Sequence, residues 1–176
     1  MRKNDLERLL PDKHLVLNAR ANLETIRFLS GQIRTLEKAI TQQIKPRPGY
    51  DLLRTVPGIG TILAMTIMLE AGDIRRFPKV GNFASYCRCV SAKRISAGKS
   101  KGSGNRKNGN KYLSWAFVEA AHQSRRFCDR FKRYYNRKVS QANTSVATKA
   151  LGNKLARISY YILRDQVPFQ KELIRG

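Results

Sequence analysis

Stepping alternately by four and three residues from Leu15 lands on Leu15, Ala19, Asn22, Ile26, Leu29, Ile33, Leu36 and Ile40. That spacing is the a/d register of a helix whose apolar stripe meets a partner helix, and it restricts the fold more than any other feature of the chain. The stripe is fully apolar from Ile26 to Ile40, whereas Ala19 is small and Asn22 polar. A polar seam residue either fixes register at a cost in stability or marks a seam that starts only at Ile26, and the spacing fits both. Arg20, Glu24, Arg27, Gln32, Arg34, Glu37 and Lys38 fill the flanking positions. Asp12 is the expected cap, and Lys45-Pro46-Arg47-Pro48-Gly49 ends the helix because proline cannot continue it. The helix must pair either with a second copy or with its own domain. No similar seam recurs downstream, which favours a coiled-coil homodimer.

A different pattern begins at Tyr50. Leu52 to Ala64 contains Val56-Pro57-Gly58-Ile59-Gly60 between two apolar runs, the form of a helix-hairpin-helix element. Pro57 sets the turn, and the glycines permit backbone that a Cβ would hinder. The backbone N–H groups of Gly58, Ile59 and Gly60 at a helix N-terminus are candidate phosphate contacts; a purely structural turn has the same sequence. The next helix, about Thr61 to Ala71, is apolar nearly all round and is expected to be buried.

Charge then decides the class of partner. Thirty-five Lys and Arg against 12 Asp and Glu give a formal net charge of +23. Such an excess opposes compaction but favours a partner dense in phosphate, so the chain is expected to bind nucleic acid, DNA first. The excess is concentrated: no acidic residue lies between Asp73 and Glu119, a stretch holding Arg75, Arg76, Lys79, Arg88, Lys93, Arg94, Lys99, Lys101, Arg106, Lys107 and Lys111. Within it, Ser96 to Asn110 is a Gly/Ser/Asn-rich basic loop that cannot bury a core and is expected to be mobile when unliganded. Composition alone describes a loop that binds without chemistry.

Beyond the loop, Asn110 is expected to cap a helix to about His122, with Leu113, Ala116, Phe117, Ala120 and Ala121 as its apolar face; Tyr112 and Trp115 are expected by default to pack in the core, with stacking on bases as the alternative. A second basic run, Arg125 to Lys138, is expected to be helical. A last helix, about Ser145 to Arg164, is expected to bury Val146, Leu151, Leu155, Ile158 and Ile162. Cys87, Cys89 and Cys128 make no metal-ligand spacing with His14 and His122, so reduced thiols and no metal site are expected. No apolar run approaches the roughly 20 residues needed to span a bilayer, and no signal peptide opens the chain, so a cytoplasmic, nucleoid-associated protein without a membrane partner is expected. The fold class is all-α: a tail and coiled-coil helix over 1–48, then a compact helical domain over 49–176 with the hairpin element and the basic loop.

Taken together, Val56-Pro57-Gly58-Ile59-Gly60, Gly72-Asp73-Ile74-Arg75-Arg76-Phe77, Phe83-Ala84-Ser85-Tyr86-Cys87, Ser96-Ala97-Gly98-Lys99, Gly109-Asn110-Lys111-Tyr112-Leu113 and Trp115 to Ala121 resemble the C-terminal part of the bridge-RNA-guided insertion-sequence transposases. The resemblance runs in order along essentially the whole chain. It implies a serine nucleophile in the glycine-rich loop, which the motif assigns to Ser96. Ser91, Ser100 and Ser103 are neighbours that chemistry alone does not exclude. It implies Lys93, Arg94 and Lys99 as cations beside the reaction, DNA and a guide RNA as partners, and a metal-binding DEDD domain ahead of this part, so that no cofactor belongs to this chain. A partial chain, inactive in recombination by itself, is the expectation. Ala97 departs from the motif, where Asn or Gly usually follows the serine. Two other classes compete: a non-enzymatic helix-hairpin-helix DNA-binding module, and a basic RNA-binding structural protein of ribosomal type.

Overall fold

A computed structural model describes residues 7–10, 12–44, 47–90, 93–96, 99–103 and 108–170. The chain divides into two compact units, Met1–Gln43 and Ile44–Gly176.

The first unit is dominated by helix α1, Lys13–Ile44. Asp12 caps it: Oδ1 accepts from the amides of His14 at 2.6 Å and Leu15 at 3.3 Å. Two of the four orphan amides of the first turn are thereby satisfied. Leu15, Ile26, Leu29, Ile33, Leu36 and Ile40 are all exposed, as are Leu17 and Phe28 off the seam. Asn22 is exposed too, and its side-chain amide donates to Asn18 Oδ1 at 2.9 Å along the same helix.

The second unit is helical apart from one small ladder. Its elements are α2 (Pro48–Arg54), α3 (Thr61–Ala71), a 3-10 turn (Ile74–Arg76), α4 (Val80–Tyr86), strands β1 (Lys93–Ser96) and β2 (Lys99–Ser103), α5 (Lys111–Phe127), α6 (Asp129–Gln141) and α7 (Thr144–Asp165). Helix α7 is the centre, packed on α2, α4, α5 and α6. It starts at Asn143, whose Oδ1 accepts from Val146 N at 2.9 Å. Leu151, Leu155, Ile158 and Ile162 are buried along its inner stripe. Val146 is exposed at 47%, contrary to expectation. Five residues from Leu151 is about 140° round the helix, so Val146 points off the stripe that Ala147 and Thr148 continue.

Aromatic rings fill the other side of this core. Phe83 meets Phe77 at 5.2 Å, Phe117 at 6.2 Å and Tyr160 at 6.0 Å between ring centroids. The buried Tyr160 hydroxyl donates to the Phe77 carbonyl at 2.9 Å, so that hydroxyl is not stranded. Helix α3 is only partly enclosed. Leu63, Ala64, Met65, Ile67 and Ala71 are buried, but Ile62 and Leu69 are exposed because α2 and α5 are its main neighbours and its far side faces solvent.

The glycine-rich stretch also departs from expectation in part. β1 and β2 pair antiparallel, with Lys93 opposite Ser103, Ile95 opposite Ser100 and Ser96 opposite Lys99, and an irregularity between Lys93 and Ile95. The composition of this stretch excludes a buried core. A two-stranded ladder satisfies its backbone by pairing and needs none.

Candidate nucleic-acid interface

Residues 55–60 join α2 to α3, and the residues of this turn divide into two roles. Gly58 has φ +93°, and a Cβ on it would lie 2.4 Å from Ser124 N and 2.9 Å from the Ala120 carbonyl oxygen. Glycine is therefore required by the close approach of the turn to α5. Ile59 is 3% exposed, and its amide donates to the Val56 carbonyl at 3.0 Å. Gly58 thus serves the packing of the turn, while the Ile59 amide is engaged within the turn itself and its side chain in the core. Gly60 alone faces open space, where it precedes α3 with no side-chain cap on the helix amides.

The next turn is pinned by Asp73, whose Oδ1 accepts from the Arg75 amide at 3.0 Å. The Arg75 guanidinium returns to the same carboxylate, Nε to Oδ1 and a terminal nitrogen to Oδ2, each at 3.1 Å. This side-chain contact, with the amide bond, holds the Asp73 carboxyl below its ordinary value. Arg75 is thus an exposed cation already engaged by a neighbour. Arg76 lies instead over the rings of Phe77 at 4.5 Å and Tyr86 at 4.7 Å. Hydrogen bonds from Asn110 and then Arg76 lower the Tyr86 phenol from its usual range.

Both ends of the basic hairpin are clamped at this point. Asn110 N donates to the Tyr86 carbonyl at 2.7 Å. Gly109 has φ +92°, and a Cβ there would meet the same Tyr86 oxygen at 2.4 Å. The Arg88 guanidinium donates to the Gly109 carbonyl through Nε at 3.1 Å and a terminal nitrogen at 2.9 Å. Asn153 of α7 donates to the Cys89 carbonyl at 3.2 Å. Residues 86–90 and 108–110 therefore form a fixed base from which the basic strands project. At the far end of that hairpin the register sets Ser96 opposite Lys99, which is exposed. Lys93 and Arg94 lie on β1 and Lys101 on β2. Ser91, Ala97, Arg106 and Lys107 lie outside the described residues. Lys111 is exposed at the start of α5.

A second basic surface follows on α6. Phe131 and Tyr135 are buried, while Arg130, Lys132, Arg133 and Arg137 are exposed on the other face. Arg125 lies 4.7 Å from the Tyr135 ring centroid. With Arg126, Asp129, Lys132 and Asn136 this pair lines a concavity of ≈ 360 Å³. Lys154 and Arg137 approach the Tyr134 ring at 4.4 and 5.6 Å. Burial, then the charge of Arg137, lowers the Lys154 pKa. Two cations held about one ring are a place where an anion would be stabilised.

Tyr112 and Trp115 correct a second expectation. They are 52% and 48% exposed on the outer face of α5, not packed in the core. The buried stripe of α5 is Leu113, Ala116, Phe117, Ala120, Ala121 and Ser124. Periodicity alone leaves positions 112 and 115 outside that stripe. Among the described residues no three His, Cys, Asp or Glu side chains cluster to hold a metal. Glu70 and Asp73, three residues apart, are bonded to Asn110 and Arg75. No described helix is long and apolar enough to cross a membrane.

These features define a class: a small helical domain that carries a basic hairpin on a clamped base. Residues 50–136, from α2 into α6, match the model of the Transposase IS116/IS110/IS902 family. The chain is 28% identical over 152 residues to the Transposase for insertion sequence element IS1328 of Yersinia enterocolitica, covering 82% of this chain and 44% of that protein. It is 27% identical over 151 residues to the Probable family 20 transposase of Pseudomonas aeruginosa, covering 84% and 45%. It is 24% identical over 146 residues to the Insertion element IS110 uncharacterized 43.6 kDa protein of Streptomyces coelicolor, covering 82% and 36%. The chain thus spans less than half the length of the curated relatives it matches.

Proposed function

We propose that this chain belongs to the insertion-sequence transposases of the IS116/IS110/IS902 type and forms their DNA-binding, strand-joining part. The observation that carries the reading is the match over residues 50–136, which encloses the acid-free basic hairpin. DNA binds along the hairpin and the basic face of α6, with Lys93, Arg94, Lys99, Lys101, Arg106, Lys107 and Lys111 as phosphate partners. A guide RNA, carried over by resemblance, and a second copy joined through α1 complete the assembly.

Ser96 is the proposed nucleophile. Its Oγ attacks the phosphorus of a DNA phosphodiester, the Oγ–P bond forms, and the bond to one deoxyribose oxygen breaks. That oxygen leaves with a proton, and the serine proton goes to a base. Reversal by another strand's hydroxyl rejoins the DNA, because the ester bond is conserved in the phosphoserine. Lys93, Arg94 and Lys99 are the cations proposed to stabilise charge on the equatorial oxygens. No step is assigned to a metal by residues of this chain.

The test uses the intact transposase with its DNA. A covalent protein–DNA species on denaturing gels should disappear in Ser96→Ala, and an adduct that persists in that variant rules Ser96 out. Binding by the chain itself should weaken steeply as salt rises; affinity flat against salt would remove the DNA reading. The uncapped start of α3 at Gly60 favours a second reading, a DNA-binding module without chemistry. An intact transposase that binds its DNA but never forms the adduct would decide for it.

A further inference from the structure

The outer face of α5 carries an aromatic pair for which the helical core has no use. Tyr112 and Trp115 are 52% and 48% exposed, and at i, i+3 spacing their side chains are neighbours on one helix face. Lys111 Nζ stands 4.9 Å from the Tyr112 ring centroid. Further along the same face come Glu119, His122 and then Arg126. The cations stand at the two ends of this face, about 20 Å apart at 1.5 Å rise per residue. The single carboxylate, Glu119, stands between them and would repel a phosphate there. A partner that fits must therefore present charge at the ends and uncharged flat surface over the middle.

We infer that Tyr112 and Trp115 form a stacking platform for unpaired nucleobases, with the sugar-phosphate chain held towards Lys111 and Arg126. The inference rests on the nucleic-acid reading above and adds to it the state of the strand: bases out of the duplex. Base–aromatic stacking suits any base, since each has a π-face, and its strength comes from the ring left exposed by the protein. An apolar protein partner fits less well, because Lys111, Glu119 and His122 share the face of the helix with the pair. The platform starts where the clamped base of the basic hairpin ends, at Asn110. A strand leaving the hairpin thus meets Tyr112 first.

Trp115 is the only tryptophan of the chain, so its fluorescence reports on this site alone. The full chain is titrated with single-stranded oligo(dT) of about a dozen nucleotides, with a blunt duplex of equal length, and with an abasic strand. Binding of all three is followed independently by anisotropy of a label on the nucleic acid. The expected result is strong quenching by oligo(dT) and little by the duplex or the abasic strand. Trp115→Ala and Tyr112→Ala should each weaken oligo(dT) binding roughly tenfold, with duplex affinity nearly unchanged, and Trp115→Phe should restore most of it. Both positions are exposed, so these variants should fold, and circular dichroism checks that they do. Oligo(dT) that binds without quenching, or variants that lose single-strand and duplex affinity equally, would overturn the platform while leaving nucleic-acid binding intact. Quenching that depends on protein concentration with no oligonucleotide present would overturn it in favour of a second copy. Absence of binding to all three ligands at low salt would instead remove the broader reading on which the platform rests.

Discussion

Asn110 Nδ2 donates to Glu70 Oε2 at 2.6 Å, while its Oδ1 accepts from the amides of Tyr112 and Leu113 at 2.8 and 3.0 Å. One side chain thereby caps α5 and ties it to the end of α3, beside the base of the basic hairpin. Asn110→Ala removes the cap and strands Glu70, for an expected loss of about 1–3 kcal/mol. Asn110→Asp keeps the cap acceptor but turns a carboxylate towards Glu70. Two carboxylates in contact repel once both are charged, so the variant should approach the parent in acid and fall behind it at neutral pH. Urea unfolding of both proteins at pH 4 and pH 7 measures the difference. A gap that does not widen between those values would show that the two carboxyls do not face each other.

Gly58 is the second place where a single atom is decisive. With φ +93° and the Ser124 amide nitrogen 2.4 Å from where a Cβ would stand, Gly58→Ala forces both backbone strain and separation of the turn from α5. Each effect costs of order 1–3 kcal/mol, so the expected loss is about 2–5 kcal/mol. Gly60→Ala, with nothing within 4 Å of its Cβ, should be far milder. Thermal or urea unfolding of the two variants side by side tests the division of roles within the hairpin. Equal destabilisation would contradict it.

The contrast between these glycines shows what the sequence could and could not convey. Periodicity foresaw α1, the α5 stripe and the inner face of α7, because each depends on which residues recur at helical spacing. Caps at Asp12 and Asn110 were legible for the same reason, being local. Whether a glycine serves a phosphate or a neighbouring helix depends on which element lies across from it, and Ala120 and Ser124 lie more than sixty residues away in the chain. The basic stretch was visible as composition, but the grip of Arg88 on Gly109 was not, since it sorts one cation of the run into a structural role. Val146 and the exposed Tyr112 and Trp115 were misjudged on residue type where helical phase would have served better.

The cysteines give a pH prediction. Burial pushes the Cys89 thiol up to about 12 and raises Cys87 as well, from an ordinary value of 9.0. Groups with raised folded pKa favour the native state fully below the unfolded value and lose that contribution as pH climbs towards the folded one. Stability should therefore be insensitive to these thiols up to pH 9 and then decline, by at most about 1.4 kcal/mol per thiol for each further pH unit. The Cys87→Ala, Cys89→Ala double variant should show a shallower decline between pH 9 and 11, whatever its stability at pH 7. Native protein should also resist thiol reagents at the buried Cys87 near pH 8, where unfolded chain reacts at once. Fast labelling of Cys87 in the folded protein would show that its burial is incomplete.

The seam of α1 yields the last prediction. Ile26, Leu29, Ile33 and Leu36 are between 51% and 62% exposed on one helix face. Side chains of that size left in water forfeit about 1.5–3 kcal/mol each relative to full burial. Pairing of two copies through four such residues at a/d spacing would recover part of that loss, against the cost of association. The chain should sediment as a dimer at micromolar concentration, and Ile33→Glu with Leu36→Glu should make it monomeric while the Ile44–Gly176 unit keeps its unfolding midpoint. Asn22→Leu should act the other way. The Asn22 amide is bonded to Asn18 within its own helix, so replacing it removes no contact to a partner and lengthens the apolar seam. The dimer should then tighten. A parent chain that sediments as a monomer at high concentration, with Asn22→Leu no different, would mean that the seam serves some surface other than its own copy.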